Sequence, residues 1–165
     1  MTRRQSVLKR QLGVLDFFIG MIRLDAPSVF LVHGKDEELV HTTRHVLEDL
    51  GASVTVLREL PNRGRTIIEK FESESSAQFA VVLLTPDDRG GLANEPFKNQ
   101  KPRARQNVIL ELGFFLGKLG RKHVCALYRG ELEIPTDYRG VAFVEVDSAG
   151  LWKLELAREL KAASL

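Results

Sequence analysis

A single acidic residue lies within an otherwise uncharged stretch of predicted helix, residues 106–117. This residue is Glu111, and helical spacing places it beside the apolar stripe of the helix rather than opposite it. A buried carboxylate that is neither solvated nor paired costs several kcal/mol, so the position indicates either an ion pair or a chemical site. Arg105 or Arg65 would be the partner in an ion pair. The stripe consists of Val108, Leu112, Phe115 and Leu119.

Arginines follow the second and third predicted strands, in the loop at residues 58–65 and in the basic block at residues 101–105. A guanidinium group binds phosphate oxygens through a planar fork, so this pattern is compatible with a phosphate-bearing ligand. It is equally compatible with solvated loop cations. The side chains concerned are Arg63, Arg65, Arg103 and Arg105.

The histidines and the cysteine form no recognisable metal or nucleophile site. The histidines lack the cysteine and carboxylate neighbours that metal-site spacings require, so no metal is predicted. Cys125 lies in an apolar run and is expected to pack as a small hydrophobic side chain. One cysteine cannot form an internal disulfide, which fits a reducing cytoplasm. The four histidines are His33, His41, His45 and His123.

The chain of 165 residues is long enough for one domain, and its 44% hydrophobic and 28% charged residues are ordinary for a globular protein. A net charge of +2 gives no support for binding to nucleic acid or to a membrane surface. Residues 1–27 differ, because basic residues precede an apolar stretch at 12–22 that Asp16 interrupts. That stretch is too short to span a bilayer. We predict a helical extension or linker there, and one domain over residues 28–165.

Apolar runs alternate with amphipathic stretches from residue 28 onward. This alternation predicts an α/β fold, a flavodoxin-like five-stranded parallel sheet with helices on both faces. The most apolar run, residues 79–84, is the predicted central strand, and residues 85–101 are predicted to be a long loop. Gly113 and Gly117 are expected to let their helix approach the sheet closely. The other strands are predicted at residues 29–32, 53–57, 123–128 and 141–146, and the helices at 36–50, 66–74, 104–119 and 149–163.

Ligands of open parallel sheets bind beyond the carboxyl ends of the strands. The predicted elements bring four loop segments to that edge, and neither a dinucleotide-binding GxGxxG motif nor a Walker motif is among them. The sequence therefore predicts a ligand site of another kind at this edge. The four segments are His33 and Gly34, residues 58–65, residues 85–88, and Tyr128 with Arg129.

Five blocks of the chain, in order, resemble the bacterial TIR-like family, whose members include the TIR modules of STING-fused and Pycsar antiphage effectors. The resemblance extends from about Ser28 to Ala163, and the Arg-Gln-Asn-Val block at residues 105–108 is its most distinctive part. It implies the flavodoxin-like TIR fold. The blocks are VFLVHG at 29–34 with Asp36 and Glu37, PNRGRTIIEKF at 61–71, AVVLLTPDD at 80–88, RARQNVILELGFF at 103–115 and VCALY at 124–128.

The resemblance also implies cleavage of the nicotinamide–ribose bond of NAD⁺, with Glu111 at the position of the family's catalytic glutamate. NAD⁺ is then the substrate, and no cofactor is required. The implied partners are further copies of the domain and a cyclic-nucleotide-sensing domain or protein. The loop implied to mediate self-association comprises Pro61, Asn62, Arg63 and Gly64. The residues expected around the dinucleotide are His33, Gly34, Arg65, Asp88, Arg105 and Asn107.

Two other functions are compatible with the same residues. In a non-catalytic TIR interaction module, Glu111 would serve only as an ion-pair partner. In an enzyme similar to nucleoside 2-deoxyribosyltransferases, the glutamate would be a covalent nucleophile, and a ribosyl-enzyme adduct would distinguish that mechanism.

Overall fold

The computed structural model describes residues 26–59, 69, 77–135, 138 and 140–165. Three α-helices and seven strands have their bounds within these residues. The helices are α1 (Glu37–Asp49), α2 (Gln106–Leu119) and α3 (Trp152–Ala162). The strands are β1 (Ser28–Val32), β2 (Ser53–Val56), β3 (Phe79–Leu84), β4 (Asp88–Gly90), β5 (Lys101–Arg103), β6 (Val124–Tyr128) and β7 (Ala142–Glu145).

Five strands form one parallel sheet in the order β2-β1-β3-β6-β7. Val29 of β1 is in register with Val54 of β2 on one side and with Phe79 of β3 on the other. This is the flavodoxin-like order, in which the winding reverses between β1 and β3. Every residue of β3 is buried. The predicted parallel sheet, with residues 79–84 as its central strand, is confirmed.

Helices cover both faces of the sheet, as predicted. Alternate residues of β1 point to opposite faces, so Leu31 joins one buried cluster and Phe30 joins the other. The cluster around Leu31 includes apolar side chains of α1 and α3. The cluster around Phe30 includes Val108, Leu112 and Phe115 of α2. The helix that carries Glu111 is therefore the one that covers the Phe30 face.

The ends of α1 lie within one residue of the predicted bounds, 36 and 50. Asp36 precedes the helix, and its Oδ1 accepts a hydrogen bond of 2.9 Å from the backbone N–H of Leu39, which satisfies one of the orphan N–H groups of the first turn. Gly51 follows the helix with a φ of +89°, a conformation that glycine adopts without strain. The connection from β1 to β2, which contains α1, is therefore fixed at both ends of that helix.

Two sequence predictions about the region after β3 are wrong. Residues 85–101 are not only a loop, because β4 and β5 pair as an antiparallel ribbon in which Asp88 lies opposite Arg103. Gly113 and Gly117 do not bring α2 closer to the sheet. A Cβ on Gly117 would meet nothing within 4 Å, and a Cβ on Gly113 would meet only the Tyr138 hydroxyl, at 3.6 Å.

Several predicted segments lie outside the described residues, and for these the predictions stay predictions. They are the N-terminal extension up to residue 25, the loop with Pro61, Asn62, Arg63, Gly64 and Arg65, and most of the helix predicted at 66–74. No helix among the described residues is long and apolar enough to cross a membrane.

Candidate active site

Glu111 lies in the second turn of α2, on the side of the helix that packs against the sheet. Its side chain is buried, with 7% of the residue's surface exposed. Its helical neighbours Val108 and Phe115 are buried as well, and the Phe115 ring lies 5.3 Å from the ring of Phe30 in β1. Glu111 is therefore a buried charged residue beside the apolar stripe of α2, and a buried charge interacts more strongly with its surroundings than a charge in water does.

The amino-terminal end of α2 is open and positively polarised. Arg105 precedes the helix without capping it through its side chain, and the first turn contains no acidic residue. Arg105 forms no salt bridge with a carboxylate of the described chain, so an Arg105–Glu111 ion pair is not part of the structure. Asn107 is exposed and lies one helical turn before Glu111. Exposed amides and uncapped N–H groups at a helix start are well suited to bind an anion.

His33 and Gly34 lie directly after β1, at the carboxyl edge of the sheet. His33 is buried, and burial lowers the pKa of its imidazole; the Glu37 carboxylate opposes this shift, and the Arg58 guanidinium reinforces it. The Nδ1 atom lies 3.1 Å from the Gly34 carbonyl oxygen, a distance that fits the Nδ1–H tautomer. The imidazole at this edge is therefore neutral at pH 7, with Nε2 as a hydrogen-bond acceptor.

The Arg58 side chain ties the end of β2 to the end of β1. Its Nη1 donates a hydrogen bond of 2.7 Å to the carbonyl oxygen of Gly34. Arg58 lies in the short 3₁₀ turn that follows β2 and precedes the segment with Arg65, which lies outside the described residues. Arg58 is therefore held in place just before the segment that contains the predicted self-association loop.

Asp87, in the turn after β3, contacts the β1 loop. Its Oδ2 accepts a hydrogen bond of 2.9 Å from the backbone N–H of Lys35, and its Oδ1 accepts one of 3.0 Å from the Thr85 hydroxyl. Asp88 begins β4 and lies opposite Arg103 in the ribbon. The sequence placed residues 85–88 at this edge but did not single out Asp87, because consecutive residues of an extended chain point in opposite directions and the register of the turn is not a local property.

A salt bridge connects the end of β6 to the start of α1. The Nη1 atom of Arg129 lies 2.8 Å from Oδ2 of Asp36, the residue that caps α1. Together with Arg58 and Asp87, this pair joins the loops after β1, β2, β3 and β6. We call the contacts made by Arg58, by Asp87 and by the Arg129–Asp36 pair the edge network. They hold the carboxyl edge of the sheet in one arrangement, as a binding site on this edge requires.

A cleft of about 330 Å³ opens beside His33, between α1 and the turn after β2. Its walls carry charges of both signs, so it is polar rather than uniformly basic. Among the described residues no group of three or more histidine, cysteine, aspartate or glutamate side chains is arranged to hold a metal ion. The lining includes His33, Glu37, His41, Arg44, Arg58 and Glu59.

A family model and several curated proteins match this chain. The family model described as "CAP12/Pycsar effector protein, TIR domain" matches residues 28–148. The uncharacterized protein YuaY of Escherichia coli K12 is 46% identical over 140 residues, which are 84% of this chain and 46% of YuaY. Protein tirC of Dictyostelium discoideum is 33% identical over 126 residues, 71% of this chain and 63% of tirC. The Pycsar effector protein PaPycTIR of Pseudomonas aeruginosa is 35% identical over 80 residues, 47% of this chain and 25% of PaPycTIR.

The region matched by the family model begins at β1 and ends just after β7, so it contains the whole parallel sheet, α2 and the edge network. The chain spans about half the length of YuaY and a quarter of the length of PaPycTIR. Since the match covers well over half of the chain and the sheet order is the flavodoxin-like one, this chain belongs to the CAP12/Pycsar effector TIR-domain family.

Proposed function

We propose that this chain is an NAD⁺ glycohydrolase that cleaves the nicotinamide–ribose bond, with Glu111 as its catalytic carboxylate. The observation that carries the proposal is the burial of Glu111 on an otherwise uncharged helix, in a chain that belongs to this family. A buried carboxylate in a fixed position can stabilise a developing positive charge, and buried ionisable groups of this kind are frequent at functional sites.

The chemistry requires little beyond a fixed carboxylate. The bond between C1′ of the ribose and the nicotinamide nitrogen breaks with its electron pair going to the nitrogen, so the cationic ring leaves as neutral nicotinamide without a general acid. The ribose becomes oxocarbenium-like, and a nearby carboxylate stabilises that charge electrostatically. Water then adds at C1′ and loses a proton, which gives ADP-ribose; attack by a group of the same nucleotide gives a cyclic product.

We place the rest of the dinucleotide along the carboxyl edge of the sheet. His33 and Gly34 line the end of β1, while Arg105 and Asn107 stand at the open amino-terminal end of α2, where a helix favours phosphate. Asp88 lies in the neighbouring ribbon, and Asp87 and Arg58 support the β1 loop that the dinucleotide would contact. Arg65 is a further predicted contact.

We further propose that the domain acts in antiphage defence and becomes active on self-association. Relatives in the family are named Pycsar effector proteins, and this chain matches about a quarter of their length. A cyclic-nucleotide-sensing domain or partner protein would then supply the signal that brings TIR domains together. The predicted contact is the loop with Pro61, Asn62, Arg63 and Gly64.

The direct test is nicotinamide release from NAD⁺ by protein that is concentrated or fused to an oligomerising tag. Glu111→Gln preserves size and polarity but removes the charge, and we expect it to lower the rate by roughly 100-fold or more, the scale found for losing one electrostatic contact to a transition state. Glu155→Gln is the matched control, because Glu155 is exposed on α3, on the opposite face of the sheet. Its rate should equal that of the wild type.

The alternatives predict different results. If the oligomerised wild type releases no nicotinamide, or if folded Glu111→Gln is as active as the wild type, the proposed mechanism is wrong and the interaction-module function replaces it. If a ribosyl adduct on Glu111 is trapped and detected by mass spectrometry, the glutamate is a nucleophile of the 2-deoxyribosyltransferase type.

A further inference from the structure

A second cleft lies on the other side of α2 from Glu111. It has a volume of about 420 Å³, within the range of small-molecule sites. Ile109 lines it, and residues two positions apart on a helix point about 200° away from each other, so Glu111 faces elsewhere. We call it the Arg103 cleft. Its lining includes Arg103, Gln106, Ile109, Glu133, Ile134 and Pro135.

The walls of the Arg103 cleft are fixed by contacts between β5 and the segment after β6. The backbone N–H of Glu133 donates a hydrogen bond of 2.8 Å to the carbonyl oxygen of Pro102. The Glu133 carboxylate also lies 3.9 Å from the ammonium group of Lys101, so its charge is partly balanced outside the cleft. The first turn of α2 forms the third wall. The cleft is therefore built from three elements that are joined to one another.

Arg103 is the positively charged residue among the described residues that line this cleft, and its guanidinium group is packed against the neighbouring strand. Its guanidinium group lies against Gly90 of β4, in the space that a Cβ on residue 90 would fill. Its Nε atom is buried and has no hydrogen-bond partner, and no carboxylate of the described residues lies within 4.0 Å of its guanidinium nitrogens. Asp88 lies opposite Arg103 in the ribbon and Glu133 lines the same cleft, but neither of these two carboxylates forms a salt bridge with Arg103. The exposed donors of this half-buried guanidinium group are therefore open to an anionic ligand.

The other residues that line the cleft indicate which groups the ligand carries besides its anionic group. Gln106, an exposed residue in the first turn of α2, adds a polar side-chain amide to the lining. Ile109, Ile134 and Pro135 supply apolar surface next to these polar groups. A ligand that fits has an anionic group for Arg103 and an apolar body of about one ring for the opposite wall.

We infer that the Arg103 cleft is a binding site for a small organic anion, a carboxylate or phosphate monoester on an apolar body, separate from the edge that carries the proposed NAD⁺ chemistry. Its occupant would contact the first turn of the helix whose second turn carries Glu111. The inference concerns binding alone, so its test has no readout in common with nicotinamide release.

The test uses the full chain labelled with ¹⁵N and phenyl phosphate as the probe, with inorganic phosphate and phenol as the two half-probes. We expect saturable shifts of the Gln106, Ile109 and Ile134 amides with phenyl phosphate. Inorganic phosphate lacks the apolar ring and phenol lacks the anionic group, so each should bind roughly tenfold more weakly than phenyl phosphate, or worse. No saturation by phenyl phosphate, or shifts centred on another surface, would overturn the inference.

Substitutions of residues that line the cleft test whether phenyl phosphate binds there. Arg103→Gln should weaken binding of phenyl phosphate by roughly tenfold or more, as loss of a charge-assisted pair does. Arg158→Gln is the matched control, because Arg158 is exposed on α3, across the sheet, and its binding should be unchanged. If Arg103→Gln does not fold, Ile134→Ser serves instead; it should weaken phenyl phosphate but not inorganic phosphate. Equal binding by the wild type and by either cleft variant would contradict the site.

Discussion

The carboxylate of Asp87 occupies the place where a side chain on Gly34 would begin. From there it accepts hydrogen bonds from the Lys35 N–H and the Thr85 hydroxyl, so the loop after β3 is fixed against the loop after β1. The backbone of Gly34 is held from a second side as well, because Arg58 donates to its carbonyl oxygen. The absence of a side chain at residue 34 is thus what allows the Asp87 carboxylate to reach the loop after β1.

Replacing Gly34 by alanine should destabilise the fold by about 1–3 kcal/mol, because the new Cβ displaces Asp87 and breaks its hydrogen bond to Lys35. Urea unfolding followed by far-ultraviolet circular dichroism measures the free energy of unfolding. Gly117→Ala is the control glycine substitution, because a Cβ there meets nothing within 4 Å. It should stabilise α2 by about 0.5–1 kcal/mol, the difference in helix propensity.

A double-mutant cycle tests whether Asp87 is the cause. Asp87→Ala in the Gly34→Ala background should cost less free energy of unfolding than Asp87→Ala in the wild type. The reason is that Gly34→Ala has already displaced Asp87 and broken its hydrogen bond, and that Asp87→Ala removes the side chain with which the new Cβ clashes. Additive free energies would show that the two residues do not interact.

His33 should make the fold less stable at mildly acidic pH. Burial lowers its pKa in the folded protein below the ordinary value of about 6.5, which applies to the unfolded chain. The unfolded chain therefore binds more protons as the pH falls through about 6.5, and the free energy of unfolding decreases from there downward until the folded pKa is passed. Urea unfolding at a series of pH values between about 7 and 5 measures this dependence.

The His33→Gln variant separates this effect from other titrations. It should show a flatter pH dependence over the same range, since glutamine does not titrate. Parallel curves for His33→Gln and the wild type would refute the assignment.

Most of the sheet and of the helix that carries Glu111 follows from local patterns. Asp36 was recognisable as a helix cap by its residue type alone, and the continuous apolar run at residues 79–84 predicted a strand buried on both faces. Burial of Glu111 followed from its place beside the apolar stripe of α2. These properties depend on neighbours within one or two helical turns, or on alternation within one strand.

The contacts that the sequence did not reveal are long-range. The contact of Asp87 with the β1 loop depends on the turn after β3 and on a glycine 53 positions earlier in the chain, and neither leaves a local signature. The ribbon of β4 and β5 was missed for a similar reason. Its strands are short, one contains glycine and the other proline, and both residue types are rare in strands, so only the pairing reveals it.

Cys125 should be unreactive while the protein is folded. Burial raises the pKa of its thiol to about 12, and the nearby Glu159 and Glu155 carboxylates contribute to the shift. Since the thiolate is the reactive form, the native protein at pH 8 should not react with a disulfide reagent, whereas the urea-unfolded chain should release one equivalent, from its single cysteine. Rapid reaction of the native protein would show that β6 opens or that the thiol is accessible.

The salt bridge between Arg129 and Asp36 should stabilise the fold measurably, unlike a typical surface pair. The two groups lie 2.8 Å apart with the Asp36 side chain only 21% exposed, and Asp36 also caps α1. Arg129→Gln and Asp36→Asn each remove the ion pair but leave an oxygen at the cap, and each should cost about 1 kcal/mol. Asp36→Ala removes the cap as well and should cost about 1 kcal/mol more.

Arg44→Gln provides the comparison, because Arg44 pairs with Glu48 within the exposed face of α1 and should lose only about 0.3–0.5 kcal/mol. Urea unfolding at low and high salt measures all four variants. The cost of Arg129→Gln should shrink as salt rises, since a half-exposed pair is partly screened, while the extra cost of Asp36→Ala over Asp36→Asn should persist because it arises from the helix cap. If Asp36→Asn costs as much as Asp36→Ala, the charge rather than the capping oxygen fixes the start of α1 and, with it, the loop that carries His33 and Gly34.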